Sequence, residues 1–539
     1  MHNKTKLLIF ASLLLAACST DPMQEIPNRG DSAPEIETSG KICNTSDDAV
    51  AGSLIVKFGE EAIPSLEQNA LNAAKTRSAL TRSGIESVDD ILNDLHVTSL
   101  ERVFPEAGEH EARTRAAGLH RWYVLRFAAE EDLDKAAERL AGVAEISKVQ
   151  FRTRLYRASD CKTYPFQATA NGQTRALVTA DFNDPNLFWQ WHYINNADQA
   201  VATTSVAGAD INVADAWKLT AGNPEVIVAI VDEGVKYTHP DLAANMWINP
   251  NPSPEYKNQD IHGWNFAADG PISWGQKGDS GHGTHVAGTV AAVNNNGVGV
   301  CGVAGGTGRN DGVKLMSCQI FSGNDATSGA ITTSAEAIKY AADNGAVIIQ
   351  CSFGSKAGTY TSDSAYERGS GVQYNAIKYF IESQNCDAVD GGVVIFAAGN
   401  DATAMSGYPG AYHDYISVTS FSPDYLPAYY TNYGPGCNIS APGGDYKISA
   451  DAAKTYAEVL STVPSELSEY NGADYGFMQG TSMACPHVSG VAALILSKFK
   501  GQGFTAEELR NKVERSCRPL SEPMDPKYHG GIGHGLIDV

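Results

Sequence analysis

The chain has 539 residues, a formal net charge of −22 and a sequence isoelectric point near 5.0. An acidic surface of that size repels polyanions, which argues against nucleic-acid binding and against direct attachment to anionic lipid. With 43% hydrophobic and 19% charged residues the balance is that of a globular chain able to bury a large core; length alone suggests roughly three or four domain-sized units, and because large α/β enzymes exceed that size two folded domains are expected.

The first 18 residues read as a targeting segment. Lys4 and Lys6 supply positive charge, residues 7–15 are apolar but too short to span a bilayer, and Leu15-Ala-Ala-Cys18 follows. That tetrapeptide resembles the bacterial lipobox, which implies cleavage before Cys18, a lipid on its thiol, and export to an outer membrane or cell surface. Residues 19–48, rich in Pro, Ser, Asp, Glu and Gly, predict a flexible tether. Strands are predicted at 53–58, 122–127 and 146–151, with helices near 63–78 and 130–140, giving a small α+β domain over 49–152. Residues 153–183 are polar and read as a linker.

From 184 to 539 strands and helices alternate. Residues 226–231 and 393–396 are continuous apolar runs, the pattern of parallel strands buried on both faces. Residues 335–342 and 488–499 read as helices between such strands. The fold class predicted is α/β, a doubly wound parallel sheet. Ten cysteines leave an odd nine once Cys18 is assigned to lipid, so at least one thiol stays free. No CxxC pair is present, which disfavours a thiolate zinc site.

Three segments carry the chemistry. Asp232 ends the apolar run Ile227-Val-Ala-Ile-Val. His282 opens a helical run within Gly281-His-Gly-Thr-His-Val-Ala-Gly288. Ser482 lies in Gly480-Thr-Ser-Met-Ala-Cys-Pro-His-Val-Ser-Gly490, a glycine-led turn entering an apolar helix. A hydroxyl at a helix N-terminus meets unpaired N–H groups and a positive dipole end, which suits an acyl-transfer nucleophile. Taken singly, each residue has a plainer reading as a turn or cap residue, and His282 with His285 has the i, i+3 spacing of a metal pair, though no third ligand accompanies it. Cys485 reads as a small buried residue.

Together the three blocks resemble the Asp, His and Ser segments of the subtilisin-like serine peptidases, over about two-thirds of the chain. The resemblance implies that Ser482 is the nucleophile, His282 the general base and acid, Asp232 its orienting carboxylate, and Asn400 in Phe396-Ala-Ala-Gly-Asn400 a side-chain oxyanion donor. It implies substrate contacts at Ser352, Phe353, Gly354, Ala397, Ala398, Gly399 and Gly407, with a glycine floor that admits large apolar side chains. It implies no cofactor for catalysis, and a structural Ca²⁺ near Asp241 and Asn295. It further implies that 49–152 is a propeptide acting as an intramolecular inhibitor, that 153–183 holds the maturation cut, and that 184–539 is the peptidase domain. Protein or peptide substrates and a monomer are expected. Residues 356–391 and 445–458 depart from the compact family pattern and read as insertions near the cleft. Two rival readings are a peptide-binding pseudo-enzyme and a peptidase dedicated to one precursor.

Overall fold

The computed structural model describes residues 40–158, 163–166, 182–323, 328–383, 389–451, 455–501, 505–519 and 524–539. The targeting segment, Cys18, Cys161, Cys386 and most of the expected tether and linker lie outside the described residues.

The N-terminal part contains β1 (Ala49–Phe58), α1 (Ile63–Thr76), α2 (Glu86–Asp94), β2 (Ser99–Arg102), α3 (Glu111–Ala116), β3 (Trp122–Arg126), α4 (Leu133–Ala141) and β4 (Ile146–Arg157). The strands form an antiparallel sheet in the order β4-β1-β3-β2. Alternation puts its two faces in different cores. Leu54, Val56, Tyr123 and Leu125 pack with α1, α2 and α4, whereas Ile55, Trp122 and Val124 face the larger part of the molecule. β2 and the two short helices α2 and α3 are additions to the predicted strand–helix pattern. The expected tether ends early: residues 40–48 already dock on β4, where the Cys43 backbone N–H donates to the Val149 carbonyl at 2.9 Å.

The larger part runs β5 (Tyr164–Pro165), α5 (Val213–Trp217), β6 (Ile227–Glu233), β7 (Gly263–Asn265), α6 (His282–Ala291), β8 (Lys314–Phe321), β9 (Ser328–Ala330), α7 (Ile331–Asp343), β10 (Ile348–Cys351) and β11 (Phe353–Gly354). It continues with α8 (Asp363–Gly369), α9 (Gly371–Ser383), β12 (Val393–Ala397), β13 (Ile416–Phe421), β14 (Ile439–Pro442), β15 (Val459–Thr462), β16 (Tyr475–Met478), α10 (Thr481–Phe499), α11 (Ala506–Arg515), β17 (Cys517–Arg518) and β18 (Leu536–Ile537). The central sheet has the order β17-β18-β14-β13-β12-β10-β6-β8-β7 and is parallel except at its β17 edge. After β6 the chain builds outward through β7 and β8, then crosses to build the other half from β10. β6 is therefore the topological switch strand, and a crevice opens beyond its carboxyl end.

The apolar runs have the predicted reason. Val228 and Ile230 face one core with α6 and α10, while Ala229 and Val231 face the other with α7 and α9. Each such Val or Ile contributes roughly 1.5–3 kcal/mol by burial. α9 falls in the supposed insertion 356–391, yet its Val372, Ala376, Ile377 and Phe380 are buried among α7 and the sheet. The segment thus contributes a buried structural layer. Residues 445–458 begin at the cleft rim, where the Tyr446 ring stands 6.1 Å from Tyr429, and bridge back to Ala202. Among the described residues one helix, Thr481–Phe499, is long and apolar enough to cross a membrane, and it is largely buried as the central core helix. The described cysteines 43, 301, 318, 351, 437, 485 and 517 are all free thiols. Cys485 is buried with its Sγ against the Ile395 and Cys351 carbonyls, as expected of a small core residue.

The clearest departure from the sequence reading is β4. Its last residues were expected in a polar linker. Instead Arg154, Leu155 and Tyr156 pair antiparallel with β9, and Tyr156 and Arg157 pair antiparallel with β11. Backbone pairing with two edges orders this charged segment. Beyond residues 159–162 the chain resumes at β5, which pairs with β16.

Candidate active site

Asp232 lies at the carboxyl end of β6, fully buried. Its Oδ1 accepts the Nδ1–H of His282 at 2.7 Å and the backbone N–H of Glu233 at 2.6 Å. His282 is the first residue of α6, after Gly281 in the left-handed region at φ 73°. Its backbone N–H donates to Glu233 Oε2 at 3.0 Å, so the helix end that carries the imidazole is fixed by the residue next to Asp232. The Nε2 of His282 is buried and has no hydrogen-bond partner among the described residues. The ring is thus held through Nδ1, with Nε2 left to exchange a proton.

Ser482 is the second residue of α10. β10 and β6 pair with Cys351 beside Val231, so Ser352 follows next to Asp232. Ser352 and Ser482 are joined twice: Ser352 Oγ donates to the Ser482 carbonyl at 2.9 Å, and Ser482 Oγ donates to the Ser352 carbonyl at 3.3 Å. All three groups therefore stand at one edge of the sheet. The Ser482 hydroxyl is turned to Ser352 and not to His282 Nε2; such bonds commonly tighten only with substrate in place.

Asn400 follows β12. Its Oδ1 accepts from the Thr481 backbone N–H and hydroxyl, both at 2.9 Å, and its Nδ2 is buried without a partner. The amide is anchored by one end and presents the other. Gly480, with φ 146°, keeps the space in front of it open. A Cβ there would lie 3.3 Å from Asn400 Nδ2, 3.6 Å from the Ser482 backbone nitrogen and 3.6 Å from the carbonyl oxygen of Ala158. One small volume thus gathers two donors and a peptide carbonyl.

That carbonyl belongs to the end of β4. The Ala158 N–H donates to the Ser352 carbonyl at 3.0 Å. Gly354, Ala397, Ala398, Gly399 and Gly407, all singled out from sequence, line with Tyr156–Ala158 a cavity of about 320 Å³. Phe353 contributes only its backbone, since its ring is buried against Phe321 and Phe396.

The expected cation ligands are only partly brought together. Asp241 is buried and accepts from the Val300 N–H at 2.9 Å and from Asn296 Nδ2 at 2.7 Å. The Asn295 side chain turns away and donates to the Thr307 carbonyl at 3.2 Å, so the adjacent asparagine takes the place assigned to it. Burial, with a smaller push from Asp184, raises the Asp241 carboxyl to about 7. Asp184 is also buried, and its Oδ1 has no nitrogen or oxygen partner among the described residues. Sequence reading missed Asp184, Glu233 and Ser280. Glu233 was detectable as a charged residue continuing a buried strand.

A doubly wound sheet with a carboxylate, an imidazole and a serine at its carboxyl edge defines a serine endopeptidase. The Subtilase family model matches residues 223–535, and the chain belongs to that family. It is 30% identical over 362 residues to a thermophilic serine proteinase of Bacillus sp. (strain AK1), covering 66% of this chain and 74% of the relative. It is 28% identical over 450 residues to an extracellular protease of Xanthomonas campestris pv. campestris, covering 77% and 68%. Among solved structures, fervidolysin from Fervidobacterium pennivorans, a keratinolytic enzyme related to subtilisin, matches with a TM-score of 0.57 at 22% identity over 94% of this chain and 63% of that one. At that identity the match speaks for the fold alone.

Proposed function

We propose that the chain is an exported endopeptidase made as a zymogen, with Asp232, His282 and Ser482 as its catalytic triad and its own residues 154–158 lying in the cleft as a bound substrate would. The observation that carries this reading is the Ala158 peptide, whose N–H pairs with Ser352 while its carbonyl faces the Asn400 amide and the α10 N-terminus. Ser482 Oγ attacks the carbonyl carbon as His282 Nε2 takes the hydroxyl proton. Asp232 keeps the Nδ1–H tautomer and steadies the imidazolium. The oxyanion is met by Asn400 Nδ2 and the Ser482 N–H. Collapse breaks the C–N bond, His282 returns the proton to the leaving amine, and water then hydrolyses the acyl-enzyme by the same steps in reverse.

The first cut would fall between Ala158 and Ser159. The released strand still pairs with β9 and β11, so residues 49–158 inhibit until they are removed. Peptides that bind by this backbone pairing must be extended, which selects unfolded or loop substrates. The cavity beyond Ala158, with Gly407 at its floor, supports a preference for large apolar residues at that position, to be checked with a peptide library. Export is supported by the N-terminal sequence and by the extracellular relative, and lipid anchoring through Cys18 by the lipobox-like Leu15-Ala-Ala-Cys18 alone. Mass spectrometry of the chain's N-termini tests both cuts. The expected precursor begins at lipid-modified Cys18 and the mature chain at Ser159; a mature chain starting upstream of β4's pairing segment would contradict the proposed register.

We also propose a structural cation held by Asp184 and Asp241. Two buried carboxylates, one with an unpartnered oxygen, fit a hard oxygen-ligated ion such as Ca²⁺, whose charge would offset their mutual repulsion. Calcium should raise Tm, and Asp241→Asn should abolish that rise; a Tm indifferent to calcium and chelator would refute the site.

A further inference from the structure

Arg157 is the second residue before the proposed cut, and its side chain does not point to solvent. The guanidinium Nη1 donates to Glu233 Oε1 and to Ser280 Oγ. The two side chains are 7% and 2% exposed, so this is a buried ion pair inside the cleft. Glu233 is held independently of Arg157. Its Oε2 accepts from the backbone N–H of His282 at 3.0 Å and of Ser280 at 3.1 Å, and Ser280 Oγ donates to its Oε1 at 3.1 Å. The buried carboxylate of Asp279 lies further along the same wall, held by the Gln276 and Gly323 N–H groups at 2.7 Å.

We infer that Glu233 is a specificity-determining residue that makes the mature enzyme select arginine at the second position before the scissile bond. The inference rests on the reading of 154–158 as a substrate-like strand, and it goes beyond the pocket for the first position. Glu233 is the last residue of β6 and its carboxylate is hydrogen-bonded to the backbone at the N-terminus of α6, so it remains in the cleft after Arg157 departs. An incoming strand covers it and strips away its water. A guanidinium on that strand restores the counter-charge and the hydrogen bond, whereas alanine leaves a desolvated carboxylate with no cation facing it. Glutamate adds repulsion. Lysine supplies the charge on a compact ammonium that is more strongly hydrated and therefore costlier to bury than a guanidinium, and ranks between arginine and alanine. A site whose buried polar group goes unpaired with the wrong substrate discriminates strongly.

The test uses the mature enzyme and p-nitroanilides built on the chain's own segment, Leu-Tyr-Xaa-Ala, with Xaa as Arg, Lys, Ala or Glu. The expected kcat/KM for Arg exceeds that for Ala by about 10²-fold, with Glu lowest. Glu233→Gln keeps an acceptor for the His282 and Ser280 N–H groups but removes the charge; it should shrink the Arg-to-Ala ratio to a few-fold, whatever it does to the absolute rate. In the full precursor, Arg157→Ala should slow the cut after Ala158 and Arg157→Lys should partly restore it. A ratio near one in the unsubstituted enzyme overturns the inference while leaving the peptidase reading intact. A preference that survives Glu233→Gln overturns the role of Glu233. Failure of the folded mature chain to cleave any of the four peptides or denatured casein overturns the peptidase reading, and this inference with it.

Discussion

Ser482→Ala is expected to lower kcat/KM on an unfolded protein substrate by on the order of 10⁶-fold and to leave the precursor joined across residues 158 and 159. Among the described residues the hydroxyl has one hydrogen bond, a 3.3 Å contact to the Ser352 carbonyl, so its removal costs about 1 kcal/mol or less of stability. The fold, α10 and the paired β4 segment should survive, and the variant should elute and melt as a compact protein. What would disappear is the proposed nucleophile. His282 Nε2 would have no hydroxyl to deprotonate, and the carbonyl of Ala158 would remain beside Asn400 without being attacked. The check is a gel and intact mass of variant and unsubstituted chains expressed without other proteases, followed by rates on casein. Efficient cutting of the variant at the same bond would assign maturation to another enzyme.

Asn400→Ala is expected to reduce kcat by about 10²–10³-fold with KM little changed, because in the proposed mechanism the amide would donate to an oxygen that carries charge only in the transition state. Asn400 has a second task, since its Oδ1 holds the Thr481 N–H and hydroxyl at the start of α10. Asn400→Asp separates the two. It keeps the acceptor for Thr481, so Tm should stay near that of the unsubstituted protein, but it turns a carboxylate toward the developing oxyanion and should depress kcat at least as far as alanine does. A variant that loses stability and retains its kcat would mean that Asn400 is structural only.

Much of the site could be read from residues because it sits where local signals are strong. The strands ending at Asp232 and preceding Asn400 are continuous apolar runs because both faces of the sheet are covered, and glycines mark the two turns that place His282 and Ser482. The unread parts depend on partners far away in sequence. Arg152, Arg154 and Arg157 make the end of β4 look like a linker, yet that segment is ordered by hydrogen bonds to β9 and β11, a pairing that does not depend on which side chains are present. Asn294-Asn-Asn gives no hint of which amide turns inward; the backbone at Asn295, with φ 56°, sends its side chain to Thr307 and leaves Asn296 for Asp241. The helix near 374–382 was legible as a helix, but its role as a buried layer follows from its packing on α7.

The most direct test of the triad is covalent capture of the mature enzyme by a fluorophosphonate, read by peptide mass mapping. The account predicts a single adduct on Ser482, absent in Ser482→Ala, and formed far more slowly in His282→Ala because the hydroxyl then lacks its base. An adduct on another serine, or full loss of activity with Ser482 unlabelled, would contradict it.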